Sequence, residues 1–122
     1  MREILFRAKR EATNEWVYGY FVKEYDDFQI YVNSKIITKS GHEYVREDTL
    51  GQFTGLTDKN GVKVFEGDIV EYEGTRYSIN YLPHYARFSA VKPNTVFCVF
   101  AYQRGEVIGN IYDNPELIGG EK

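Results

Sequence analysis

Apolar and polar residues alternate with a period of two along most of this chain, and no segment keeps helical spacing over the roughly 10–12 residues that a long helix needs. The pattern predicts a β protein. Near the N-terminus Ile4, Phe6 and Ala8 share one face of a first strand. Trp16, Tyr18, Tyr20 and Val22 share one face of a second, with Ala12-Thr13-Asn14 as the polar turn between them. Gly19 interrupts that second strand, and a missing side chain inside a strand marks a bulge or the close approach of another backbone. Phe28, Ile30 and Val32 predict a third strand after the acidic turn Tyr25-Asp26-Asp27. Asn33-Ser34 and Ser40-Gly41 then bracket a short fourth, Lys35–Lys39.

A second part begins near Glu47. Its Asn60-Gly61 dipeptide predicts a two-residue hairpin turn with both residues at positive φ, a conformation in which Asn and Gly are little penalised. Glu73-Gly74-Thr75 predicts the next turn. Between and after these, Val70 and Tyr72, then Tyr77, Ile79 and Tyr81, fall on one side, while Arg76, Ser78 and Asn80 fall on the other. Ala86, Phe88 and Ala90 mark a further strand, with Arg87 and Ser89 pointing outward. Residues 95–102 are apolar on both faces, as in a central or covered strand. Arg104-Gly105 turns into Glu106–Tyr112, and Asn114-Pro115-Glu116 reads as one helical turn, with Asn as cap and Pro in first position. Five short strands, tight hairpins and one terminal helical turn suit a small SH3-type barrel over roughly residues 47–118. The predicted organisation is thus an N-terminal β subdomain, residues 1–46, packed on a C-terminal part, residues 47–122, without a Pro- or Ser-rich linker.

At 122 residues the chain can bury roughly two-thirds of its unfolded surface and needs no disulfide or metal to fold. Its lone Cys98, in the apolar run Val96–Phe100, predicts a buried and inert thiol. The opening MREILFRAKRE has three consecutive apolar residues between charges, too few for a signal peptide or a membrane span, so a cytoplasmic protein is expected. Residues 1–46 carry eight Lys/Arg against seven Asp/Glu, a balance of +1; the rest carry seven against eleven, a balance of −4. Phosphate grip requires a basic face. Here Arg7, Lys9 and Arg10, with Arg2 beside them, are the one basic cluster, and a solvated strand end accounts for it better than phosphate contacts would.

Four phrases in order carry a family resemblance: REILFRA at the start, Val17-Tyr18-Gly19, GQFTGLTDKNGVKVFEGDIVEY, and the ending EVIGNIYDNPEL. Together, over nearly the whole chain, they resemble the YopX-like proteins of bacteriophages and prophages. Where such proteins often carry Trp and Asp after the opening Arg-Ala, Lys9 and Arg10 stand here. The resemblance implies a β-rich N-terminal part, an SH3-like C-terminal barrel, a mobile-element origin in a bacterium, and self-association. It implies no catalytic residues.

The remaining constellations carry little chemistry. His42 and His84 follow turn-like sequence and read as solvated loop residues, since no Cys/His/Asp spacing matches a zinc or calcium signature. A Cys98–His84 nucleophilic pair is disfavoured by the apolar neighbours of Cys98. Glu66, Asp68, Glu71 and Glu73 crowd one strand, with Glu71 and Glu73 on one face, and paired-carboxylate chemistry competes there with edge protection by outward acids. Asp68, directly after Gly67, can also accept backbone N–H bonds within its own turn. Gly51, Gly55, Gly61, Gly67 and Gly74 are scattered through hairpins and fit no phosphate loop. Tyr72, Tyr77, Tyr81, Tyr85 and Phe88 form the candidate interaction surface, as a peptide groove rather than a stacking platform for bases given the acidic balance of this part, although barrel filling accounts for most of these wide side chains. The expected role is a non-enzymatic interaction and oligomerisation module, without cofactor, that binds copies of itself and a phage or host protein. Nucleic-acid binding through Arg7, Lys9 and Arg10 together with the exposed aromatics is the alternative.

Overall fold

The computed structural model describes residues 3–83, 86–92, 97–98 and 101–119. The described chain is mostly β: β1 (Phe6–Arg10), β2 (Trp16–Tyr25), β3 (Tyr31–Thr38), β4 (Gly41–Thr57), β5 (Lys63–Phe65), β6 (Asp68–Tyr72), β7 (Thr75–Leu82), β8 (Arg87–Val91), β9 (Phe97–Cys98) and β10 (Glu106–Asn110). A short helix α1 (Ala101–Arg104) precedes β10, and a 3-10 turn follows it at Pro115–Ile118. The strands form two antiparallel sheets, β1-β2-β3-β4-β5 and β10-β6-β7-β8-β9. Two compact units, residues 1–53 and 54–122, divide the chain. Glu47, where the second part was expected to begin, lies inside β4, a strand of 17 residues whose pairing with β1 runs on to Gln52.

In the first unit β1 pairs with both β2 and β4, so β1 to β4 close on themselves as a small barrel. β2 is shared between two neighbours: residues 16–19 face β1, and residues 20–25 face β3. Gly19 sits where the partner changes. A Cβ there would overlap the carbonyl oxygen of Ile37 and lie 2.9 Å from Ile36 Cγ2, so the expected close backbone approach is the reason for the glycine. Ala8, Val17, Ile36 and Val45 form the buried core, with Phe6, Phe21 and Leu50 packed on it.

Loop chemistry departs from the sequence reading in two places, for one reason. Phe28 and Ile30 do not begin a strand, and the expected third and fourth strands are a single β3 starting at Tyr31. Asp26 holds the chain in a loop instead. Its backbone N–H donates to the Ile30 carbonyl, and its Oδ1 accepts the N–H groups of Phe28 and Ile30, both at 2.9 Å, with Gln29 at φ +65°. Asp58 builds the same loop: its N–H donates to the Val62 carbonyl, and its Oδ1 accepts from Asn60 at 2.8 Å and Val62 at 2.9 Å. Asn60-Gly61 is therefore not a two-residue turn. Gly61 is left-handed at φ +84° and Asn60 is not, as in a type I turn closed by a residue at positive φ. Open space surrounds Gly61, so Gly61→Val is expected to destabilise by about 1–3 kcal/mol through backbone strain alone. Chemical denaturation checks this; a midpoint equal to wild type would refute the left-handed turn. The two-residue turn lies one hairpin later, where Glu73 and Gly74 stand at φ +51° and +79° between the paired Tyr72 and Thr75.

In the second unit Val64, Val70, Ile79 and Ala90 are fully buried, with Leu56, Tyr72, Tyr77, Phe88 and Val107 packed against them. Ser89, expected to point outward, is buried and accepts from Arg87 Nε at 3.2 Å, while Ala86 belongs to the preceding turn at φ +51°. The apolar run 95–102 is not one strand: β9 covers Phe97–Cys98, and Ala101–Arg104 is helical. Asn114 and Pro115 open the 3-10 turn as expected, but the Asn114 side chain accepts from the Asn110 N–H at 3.2 Å rather than capping its own turn.

Candidate interaction surface

Strand parity in the first unit assigns the faces. Val17 and Gly19 are buried and Phe21 partly so, which turns Tyr18, Tyr20 and Val22 to the outside. On that outer face Tyr20 pairs with Ile37, and Ile37 with His42; Val22 pairs with Lys35, and Lys35 with Tyr44. Two rows thus cross β2, β3 and β4, and the His42 and Tyr44 rings meet edge-on with centroids 5.4 Å apart. His42 lies on a strand, not in the loop expected of it. Beyond the barrel the β2–β3 hairpin carries Tyr25, Ile30, Tyr31 and Val32, all exposed, and Phe28 at its tip is 81% exposed.

Polar contacts brace the base of this hairpin. Lys35 Nζ donates to Glu24 at 3.1 Å and Asn33 Nδ2 donates to the same carboxylate at 3.2 Å, and these bonds hold the Glu24 carboxyl below its ordinary pKa. Lys23 pairs with Glu47 at 3.3 Å, which raises the lysine. Ser34, buried, donates to Glu47 at 3.1 Å and shares a hydrogen bond with the Tyr31 hydroxyl at 2.9 Å. The apolar residues are therefore displayed on a fixed ribbon.

The basic cluster is spent on intramolecular contacts. Arg7 is buried, with its guanidinium 4.5 Å from the Trp16 ring centroid, and Lys9 Nζ lies 5.5 Å from the same ring. Arg10 donates to Glu15 at 3.0 Å and to Glu43 at 3.1 Å. Arg2 lies outside the described residues.

Of the barrel aromatics, Tyr72, Tyr77 and Phe88 pack against the second core. Tyr81 is exposed, with its ring edge-on to Phe88 at 5.2 Å. Tyr85, His84 and the Cys98 side chain lie outside the described residues, and so does the Cys98–His84 pair. The four acids do not converge as a carboxylate pair. Glu73 occupies the hairpin turn rather than the strand face of Glu71, Glu71 lies 3.6 Å from Arg76, and buried Asp68 accepts the Phe65 N–H at 2.7 Å. Among the described residues no group of three His, Cys, Asp or Glu side chains could hold a metal ion. None of the described helices is long and apolar enough to cross a membrane.

One buried group escaped the sequence reading. Asp58, 4% exposed, accepts the Val107 N–H through Oδ2 at 2.9 Å besides its two loop bonds. Burial pushes its carboxyl up, but the N–H donors of Val107, Val62 and Asn60, with the charge of Lys59, outweigh it and leave the pKa below the ordinary 3.8. The available signal was its place two residues before Asn-Gly, where an Asp side chain takes its own loop's N–H groups.

Residues 5–119 match the family described as YopX protein. The chain belongs to the YopX family. This YopX chain also resembles the crystal structure of protein EF1440 from Enterococcus faecalis over 97% of its own length and 99% of that chain, with 26% sequence identity and a TM-score of 0.58. No curated protein matches the sequence.

Proposed function

We propose that this YopX chain is a non-enzymatic interaction and self-association module, an accessory factor of a bacteriophage or prophage acting in the cytoplasm of its bacterial host. The observation that carries the reading is the apolar exposure of the first unit: Tyr18, Tyr20, Val22 and Tyr44 stand exposed on the outer face of its strands, and Tyr25, Phe28, Ile30, Tyr31 and Val32 stand exposed on the β2–β3 hairpin. Contiguous apolar patches beyond a few hundred Å² mark contact sites on soluble proteins. The second unit is read as an SH3-type barrel, supported by its five antiparallel strands, the two-residue turn at Glu73-Gly74 and the closing 3-10 turn. Light scattering across concentration tests the assignment: oligomers are expected by about 10 µM, and a monomer throughout that range refutes self-association.

Nucleic-acid binding is the competing role, and the ion pairs of Arg10 and the Trp16 contacts of Arg7 and Lys9 weigh against it. No submicromolar, salt-sensitive affinity for single-stranded or duplex DNA is expected. Such binding, with a salt slope flattened by changing Arg7, Lys9 and Arg10 together to Ala, would reverse the ranking.

A further inference from the structure

We propose that Asn60 is a site at which the chain modifies itself, losing its side-chain amide through a cyclic imide to leave isoaspartate, and that the Asp58 loop sets the pace. Sequence and structure single out this residue. Asn60 is the one asparagine followed by glycine, and a glycine nitrogen, with no side chain beside it, readily approaches the preceding amide carbon. Asn60 and Gly61 both stand exposed in the loop between β4 and β5. The other described asparagines are worse placed. Asn33 lies inside β3 with its amide bonded to Glu24, and Asn14 accepts from Arg46. Bulky residues follow Asn80 and Asn110, and Pro115 offers Asn114 no N–H to act as nucleophile.

The reaction needs only water. The Gly61 nitrogen gives up its proton and attacks Asn60 Cγ; the N–Cγ bond forms, the Cγ–Nδ2 bond breaks and ammonia leaves. Water then opens the imide at either carbonyl, to aspartate or to isoaspartate. In the closed loop that nitrogen is restrained: its N–H donates to the Asp58 carbonyl at 3.0 Å, while Asp58 Oδ1 holds the N–H groups of Asn60 and Val62 at 2.8 and 2.9 Å. Attack therefore waits on local opening of the loop, and the Asp58 bonds set how often it opens. Isoaspartate lengthens the main chain by one methylene between the two N–H groups that Oδ1 holds. Both bonds cannot then be kept, and the tie from Asp58 Oδ2 to Val107 on β10 loosens with them. The consequence is a slow, irreversible weakening of the second unit.

The test ages the full chain at neutral and mildly alkaline pH, folded and in guanidinium chloride. Isoaspartate is followed by enzymatic methyl labelling and by mapping the tryptic fragment 60–63, released by cleavage after Lys59 and Lys63. The label is expected in that fragment, faster at the higher pH, and at least about tenfold slower in the folded chain than in the unfolded one. Asp58→Asn, which keeps an oxygen for the loop, should speed modification of the folded chain about fivefold or more. Asn60→Gln should abolish the label there. The modified fraction, separated by its added negative charge, should unfold at a lower denaturant concentration than the unmodified one. A folded chain that gains no isoaspartate at position 60 while the unfolded chain does, or one modified chiefly elsewhere, overturns the site. Equal rates in the folded and unfolded chains, or in Asp58→Asn and wild type, overturn the control by the loop, and a modified fraction as stable as the unmodified one overturns the weakening.

Discussion

Gly19→Val is expected to unfold the N-terminal barrel, at a loss on the order of 4 kcal/mol, in the range reserved for severe core defects. The cause is steric. A side chain at this position meets the Ile37 carbonyl and Ile36 Cγ2 at once, and both belong to the paired strand β3 rather than to a flexible side-chain end. Relief requires β2 to move away from β3, at the point where β2 exchanges its pairing with β1 for that with β3. Closure of the small barrel depends on both pairings. Gly19→Ala should already lose about 2 kcal/mol or more, since one added methyl has nowhere to go. Far-UV circular dichroism with urea denaturation checks both; a Gly19→Ala midpoint equal to wild type would show that the strands do not approach so closely in solution.

The same strand illustrates how far a sequence pattern reaches. Alternation grouped Trp16, Tyr18, Tyr20 and Val22 correctly on one face, because side-chain parity is a local property of the extended backbone. Which face turns inward is decided elsewhere. The inward set includes Gly19, whose absent side chain leaves a gap that Ile36 fills from β3, and a partner 17 residues away cannot be read from β2 itself. Turn geometry shows the same division. Both Asn60-Gly61 and Glu73-Gly74 turn the chain, but Asp58 captures the N–H groups of Asn60 and Val62 and sets a longer loop, whereas no such side chain precedes Glu73 within its hairpin. The run 95–102 misled differently: apolar composition without alternation fits a buried strand and a short helix equally, and Ala101–Arg104 is helical.

The candidate surface was only partly legible for a related reason. Whether a cluster of cations is available depends on carboxylates brought to it by the fold, and Glu43 reaches Arg10 from β4. Whether an aromatic residue fills a core or faces water depends on sheet curvature, so Tyr72, Tyr77 and Phe88 entered the second core while Tyr81 of the same proposed face stayed exposed. The hairpin tip was hidden because Phe28, Ile30 and Val32 alternate as a strand does. Only the bonds made by Asp26 turn the first two into a loop display.

Replacing Asp58 gives the second large effect, and its two variants separate the roles of the two carboxylate oxygens. Asp58→Ala removes three charge-assisted bonds at once and leaves the N–H groups of Asn60, Val62 and Val107 without their acceptor, an expected loss of about 3–5 kcal/mol. Asp58→Asn keeps an oxygen for the loop but sets an amide NH2 against the Val107 N–H, donor against donor, and should lose about 1.5–3 kcal/mol. The pH dependence carries the sign. Because the folded carboxyl titrates below its ordinary 3.8, its stabilisation is complete above the unfolded value and disappears as pH falls through the folded one. Wild type should therefore lose part of its advantage over Asp58→Asn between about pH 4 and pH 2, while the difference stays constant from about pH 5 to pH 7. Urea unfolding of both proteins across that range measures it. A difference that grew on acidification would mean that burial, not the three N–H donors, governs this carboxylate, and that the tie between the Asp58 loop and β10 is not made by a charged group.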